Sequence, residues 1–294
     1  MKKYLKLIRV KHYLKNGLLF IPVLFNNSIT NLEVTIKVII GFIVFCLISS
    51  FVYIINDIND IEIDRLDPVK SKRAIASGEI SIKKALIIAI FFLIIAIIVN
   101  LFVAKTDIIS WVIPFTYIIS NLLYSKGLKN IPLLDIVILS LGFMLRVFYG
   151  AAVSDVVVSN WLYLTIMSAS FFMGLGKRRG ELLRKEELLK YEENSSRKVL
   201  KFYNRKFLDK NMYMCLTLTI VFYSLWCIDP IVIAKISNNI MIWTVPLVLI
   251  ILMRYSLIVE SGSPSDPVDL FLKDKVLIIL SSIYVVMMSV IYVF

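Results

Sequence analysis

Apolar runs of about 20 residues recur along the whole chain, and they constrain its fold more than any other feature. Each is long enough to cross about 30 Å of hydrocarbon as a helix. They cover residues 14–28, 35–56, 83–103, 107–124, 131–153, 159–176, 211–229, 239–259 and 275–294. A backbone inside lipid must satisfy its own polar groups, so runs of this length are expected to be helices. The expectation is an all-α polytopic membrane protein with nine transmembrane helices. No soluble domain fits between the spans, so 1–294 is expected to be a single transmembrane domain. The composition agrees: 59% of residues are hydrophobic and the mean hydropathy is +0.83.

The first run, Gly17 to Phe25, follows basic residues as in a signal peptide. Pro22 interrupts it and no small-x-small site follows, so it is read as a retained first span. The net charge of +12 could suggest nucleic acid, but the charges lie in loops between apolar runs, so no nucleic-acid partner is expected. One His excludes a His-rich zinc or iron site. Cys46, Cys215 and Cys227 lie far apart in apolar runs and read as packing residues.

Lys and Arg set the orientation. The 177–210 segment carries twelve of them, whereas the loops on the other side hold only Lys105 and Lys235. The expectation is an integral cytoplasmic (inner) membrane protein, multi-pass, with the N-terminus and the basic loops cytoplasmic. The 177–210 segment is then a charged cytoplasmic loop, helix-compatible along its length. Trp111, Trp161, Trp226 and Trp243 lie near span ends and read as interface anchors.

The second run ends in Asn56-Asp57-Ile58-Asn59-Asp60-Ile61-Glu62-Ile63-Asp64-Arg65. Acid this dense at a hydrocarbon edge is costly unless a positive charge compensates it. If the helix continues, Asp57, Asp60 and Asp64 fall within about 60° of arc on one face. Such a stripe can share magnesium, and magnesium held by few carboxylates usually serves a substrate phosphate. Asn56 adds a neutral oxygen ligand or an amide donor; Glu62 and Asp67 fall off the stripe. Beyond it, Lys70 and Arg73 are placed to grip phosphate oxygens. Gly78 suits a turn, and Ser81 suits the N-cap of the next helix. The competing reading of the stripe is a solvated helix end paired to Arg65.

The run NDINDIEIDRLDPVKSKRAIASGEIS resembles the first aspartate motif of the UbiA superfamily of intramembrane prenyltransferases. That resemblance implies nine transmembrane helices around a cytoplasm-facing cavity, with Mg2+ as cofactor. Most members carry a second acidic cluster after the sixth span. Here Gly174-Leu175-Gly176-Lys177-Arg178-Arg179-Gly180-Glu181-Leu182 stands in its place. Together with Lys15-Asn16, Tyr124-Ser125-Lys126-Gly127-Leu128-Lys129, Leu134-Asp135, Gly142 to Arg146 and Gly262 to Asp274, it resembles the decaprenyl-phosphate phosphoribosyltransferase branch. Ala74 stands where the family usually has Pro, a change expected to alter a loop and not the chemistry.

The resemblance implies transfer of 5-phosphoribose from phosphoribosyl diphosphate to a polyprenyl phosphate lipid, with release of diphosphate. Asp57, Asp60, Asp64 and Lys129 are then the expected catalytic residues, the aspartates as metal ligands. The substrate-binding set is Lys15, Asn16, Asn56, Lys70, Arg73, Tyr124, Lys126, Arg146, Lys177 and Arg178. A base-rich second half suits a reaction that must hold several phosphates at once. Arg146 lies inside an apolar span, and two readings stay open: substrate contact, or structural pairing with an acid such as Asp135. Tyr124 stays open between a phosphate contact and an interfacial anchor. The alternative activity is a UbiA-type prenyl transfer from a prenyl diphosphate to an aromatic or lipid acceptor, which the missing second cluster disfavours. A transporter would show an internal repeat, and none is seen. A homo-oligomer is compatible with the sequence.

Overall fold

The chain is helical, and its N-terminal half packs around one long helix. The structure is a computed structural model that describes residues 2–67, 70–104, 107–188, 198–236, 239–261 and 267–293; no strand occurs among them. It divides into two compact units, Met1–Val157 and Val158–Phe294.

The first unit holds α1 (Lys2–Leu7), a 3-10 helix (Val10–Phe20), α2 (Ile21–Phe25), α3 (Leu32–Asn59), α4 (Ile61–Leu66), α5 (Ile82–Ala104), α6 (Ile109–Lys126) and α7 (Leu134–Ser154). Its core is built on α3, which packs against α5, α6, α7 and the 3-10 segment. Asn31 starts α3 by accepting from the backbone N–H groups of Glu33 and Val34, a side-chain N-cap. Along α5 the alanines Ala85, Ala89 and Ala96 turn inward, while Ile87, Phe91 and Phe102 are exposed. Small residues let helix backbones approach closely, and an outward apolar face suits lipid and not water.

The second unit holds α8 (Asn160–Leu188), α9 (Arg205–Cys227), α10 (Pro230–Ile236), α11 (Val245–Glu260), α12 (Pro267–Lys273) and α13 (Lys275–Val293). α8 and α9 form its main antiparallel pair, with α11 packed on α8, α9 and α13. Buried Arg179 joins these helices: Nε donates to Asp209 at 2.5 Å and Nη1 to the Val259 carbonyl at 3.1 Å.

Among the described residues, five helices are long and apolar enough to cross a membrane. A sixth is added if α9 and α10, bent by 52°, count as one span. Three sequence expectations change here. The 14–28 run does not form one α-helix; it is the end of the 3-10 segment followed by five residues of α2, with Pro22 in the first turn of α2. Proline is tolerated at a helix start and breaks a helix elsewhere. The 177–210 segment is not a loop at its start, because α8 continues to Leu188, and residues 189–197 lie outside the described set. Trp226 is 2% exposed and stacks on Tyr223, so it is a core residue; Trp243, 70% exposed, remains free to meet an interface. The three cysteines are free and buried, in keeping with packing roles.

Candidate active site

The site is built where α3 ends. Asp57 lies in the last turn of α3, where the helix dipole disfavours negative charge, and only 4% of it is exposed. A buried carboxylate there needs positive partners. It has two. Arg9 Nη2 and Arg73 Nη1 both donate to Asp57 Oδ1, the latter at 3.1 Å. The same Arg73 nitrogen donates to Asp64 Oδ2 at 2.5 Å.

The aspartate stripe is broken at its middle. The helix does not run straight through, because Asp60 (φ −98°, ψ 8°) caps α3 before α4 begins. Asp57 and Asp64 converge on Arg73, whereas Asp60 turns to Lys129, whose Nζ lies 2.7 Å from Oδ1. Among the described residues no three acidic, His or Cys side chains are gathered around one metal-sized point. Burial pushes the Asp64 carboxyl above its ordinary range, with the Arg73 charge opposing that shift.

Local chain geometry explains how each base arrives. Arg73 rides on a loop anchored by buried Ala74, Ile75 and Ile80, which join the core around α3. Gly78 takes φ +79°, the turn expected of it, and the Ile80 N–H returns to the Ala74 carbonyl at 2.9 Å. Arg65 Nε pins the same loop by donating to the Ala76 carbonyl at 3.2 Å. Ser81 accepts from the Lys84 N–H at 3.5 Å at the start of α5. Lys129 follows Gly127, whose φ of +153° ends α6 and turns the chain back into a short 3-10 turn.

Arg9 is the residue that sequence reasoning missed. It belongs to the N-terminal run of basic residues, whose ordinary role is topology. Its backbone is left-handed (φ 53°, ψ 50°), a conformation that costs a non-glycine residue energy. The strain is held by contacts on both sides: Ser50 Oγ donates to the Ile8 carbonyl at 3.0 Å, and the Arg9 guanidinium lies 4.9 Å from the Tyr53 ring centroid. The available sequence signal was only its proximity to Lys15-Asn16.

A second polar group lies within the same unit, further along α3. Arg146 on α7 is 4% exposed. It donates to Asn16 Oδ1 at 2.8 Å, to the Gly142 carbonyl at 2.5 Å and to Tyr117 OH at 2.9 Å, none of them a carboxylate. Pairing with Asp135 is therefore not what holds it. Asn16 in turn donates to Ser49 Oγ and Cys46 Sγ, each at 3.2 Å. Cys46 precedes Asp57 by eleven residues, about 16 Å along a helix, so Arg146 and Asn16 do not touch the aspartates.

The other expected residues are not part of these ion pairs. Lys70 pairs with Asp67 at 3.5 Å, and Lys126 is exposed at the end of α6. Lys15 and Tyr124 are half-buried in the first unit. Lys177 and Arg178 belong to the second unit, where fully buried Arg178 donates to Glu181 at 2.5 Å. The Gly262–Asp266 run lies outside the described residues.

The chain is 32% identical over 287 residues to the decaprenyl-phosphate phosphoribosyltransferase of Corynebacterium glutamicum, covering 96% of this chain and 84% of that one. It is also 32% identical over 266 residues to the protein of that name from Mycolicibacterium smegmatis, covering 84% and 78%. Among solved structures, a UbiA homologue from Archaeoglobus fulgidus bound to GPP and Mg2+ superposes with a TM-score of 0.70 at 20% identity, over 99% of this chain and 100% of that one. The UbiA prenyltransferase family matches residues 19–283. With its apolar helices and this match over most of its length, the chain is a multi-pass membrane protein and belongs to the UbiA prenyltransferase family.

Proposed function

We propose that this protein transfers 5-phosphoribose from phosphoribosyl diphosphate to a polyprenyl phosphate and releases diphosphate. The observation that carries the reading is the ion-paired set at the end of α3. There Asp57, Asp60 and Asp64 are interleaved with Arg9, Arg73 and Lys129. A donor with a diphosphate and a 5-phosphate, meeting a lipid phosphate, brings several negative charges to one place. Interleaved acids and bases suit such a load better than acids alone. The names of the two similar actinobacterial proteins support the same reaction.

A divalent cation fits the residues present. Asn56 Oδ1 is buried beside Asp57 with no hydrogen-bond partner, and the Asp57 and Asp64 carboxylates already converge on one cationic nitrogen. Asp57, Asp64 and Asn56 would hold Mg2+, which supplies neutralising charge for the leaving diphosphate. Arg9, Arg73 and Lys129 grip the phosphate oxygens and fix the donor. The C1–O bond breaks with its electron pair leaving on the diphosphate. An oxygen of the lipid phosphate forms the new C1–O bond from the opposite face, which inverts C1. That oxygen is ionised already and needs no general base, so positioning and electrostatics supply the rate. Lys126 and Lys70 extend the basic surface toward solvent.

The basic loops argue for a cytoplasmic active site in the inner membrane, at the mouth of a cytoplasm-facing cavity. The test uses purified protein in detergent, magnesium, labelled phosphoribosyl diphosphate and polyprenyl phosphate. Label is expected to enter the lipid phase. No transfer, together with consumption of a prenyl diphosphate, would replace this reading by prenyl transfer.

A further inference from the structure

Each of the three aspartates of the 57–64 segment is held by a side-chain cation. Arg9 and Arg73 share Asp57, Arg73 also holds Asp64, and Lys129 holds Asp60. Three acids therefore face three bases, and the set is neutral. The Asp57 and Asp64 side chains are only 5% and 3% exposed, so water does little to screen these pairs. A bare divalent cation arriving here meets no net negative charge. It also finds Asp57 Oδ1 and Asp64 Oδ2 already taken by guanidinium nitrogens.

A diphosphate changes that balance. It offers the guanidiniums other oxygens in forked geometry, the partner for which arginine is best suited. Once Arg9 and Arg73 turn to those oxygens, Asp57 and Asp64 are left unpaired, and Asn56, the residue before Asp57 on α3, already holds a buried carbonyl oxygen with no hydrogen-bond partner. Two newly bare carboxylates and a neutral oxygen then favour a divalent ion strongly. The two binding events help each other because the same two arginines serve both.

Building on the donor reading above, we propose that Arg9 and Arg73 are cationic placeholders. They occupy the metal-binding carboxylates in the donor-free protein and cede them when a diphosphate accepts the guanidiniums. The device makes metal and donor binding mutually dependent, and linkage requires that each raise the other's affinity by the same factor. It also gives Arg9 a role that its place in the N-terminal basic run conceals. Its backbone is left-handed and its guanidinium meets Asp57.

The test measures Mn2+ binding by electron paramagnetic resonance on the full-length chain in detergent. The ion is titrated alone, with inorganic diphosphate, and with phosphoribosyl diphosphate, and the same titrations without protein are subtracted. Either anion is expected to tighten Mn2+ binding by about tenfold or more. Arg73→Gln and Arg9→Gln are each expected to tighten Mn2+ binding in the absence of any anion, which a merely structural role would not do. Equal wild-type affinity with and without diphosphate overturns the proposal, as does a folded Arg73→Gln protein that binds Mn2+ no better than wild type. If inorganic diphosphate couples to the metal but phosphoribosyl diphosphate does not, and no label reaches lipid, the placeholder stands and the donor reading falls. If label is transferred without any coupling, the reverse holds.

Discussion

Arg146 Nε donates to Asn16 Oδ1 at 2.8 Å, joining residues 130 positions apart in the chain. The bond ties α7 to the N-terminal 3-10 segment, and Tyr117 adds α6 through its hydroxyl at 2.9 Å. A buried guanidinium that loses an acceptor bears its full desolvation cost. Asn16→Leu is therefore expected to destabilise the protein by about 1–3 kcal/mol. Thermal unfolding in detergent measures it; an unchanged midpoint would show that the bond is dispensable.

Gly150 is the contact point between α7 and the same segment. A Cβ there would sit 2.0 Å from the Leu19 carbonyl oxygen, which is backbone and cannot rotate away. Gly150→Ala is expected to cost about 1–3 kcal/mol or more through overpacking. Gly17→Ala is the control, since nothing lies within 4 Å of its added methyl group. Comparable loss in both variants would contradict the close approach.

Asp57→Asn and Asp60→Asn are each expected to lower turnover by more than about 100-fold while leaving membrane expression intact. The first removes the shared partner of Arg9 and Arg73, the second the partner that orients Lys129. Initial rates of label transfer into lipid decide the matter. Near-normal rates in both variants would remove this cluster from the reaction.

Asp274 starts α13 by accepting from the Leu277 N–H at 2.7 Å, and it pairs with Arg254 at 2.7 Å. The Arg254 hydrogen bond and then the helix N–H hold its carboxyl below the ordinary carboxylate value of 3.8. A depressed carboxylate stabilises the fold above its unfolded value, and that contribution is lost as pH falls through the folded value. The loss lies below about pH 4. Asp274→Asn is expected to flatten that acid limb in unfolding midpoints measured across pH. An unchanged limb would show that the pair does not couple to folding.

The membrane fold and the acidic segment were legible because both are local. A 20-residue apolar run needs no partner to declare itself, and Asn56 to Asp64 announces its charge wherever the chain goes. Gly78 and Ser81 were legible for the same reason, since turns and caps are fixed by near neighbours. Helix continuity through Asp60 was not, because nothing in the local pattern marks the break there, and the Lys129 that meets this carboxylate lies 69 residues away. Nor could the sequence separate Trp226 in the core from Trp243 on the surface, as both stand near span ends.

The sequence by itself determined that this chain enters a membrane and carries aspartates, arginines and lysines suited to a phosphorylated substrate. Only the tertiary structure decided which base meets which acid. Arg9 reaches Asp57 across 48 residues, and Lys129 reaches Asp60 across 69. Such pairings follow from how helices pack and where loops are anchored, and a linear pattern of charges carries no record of either.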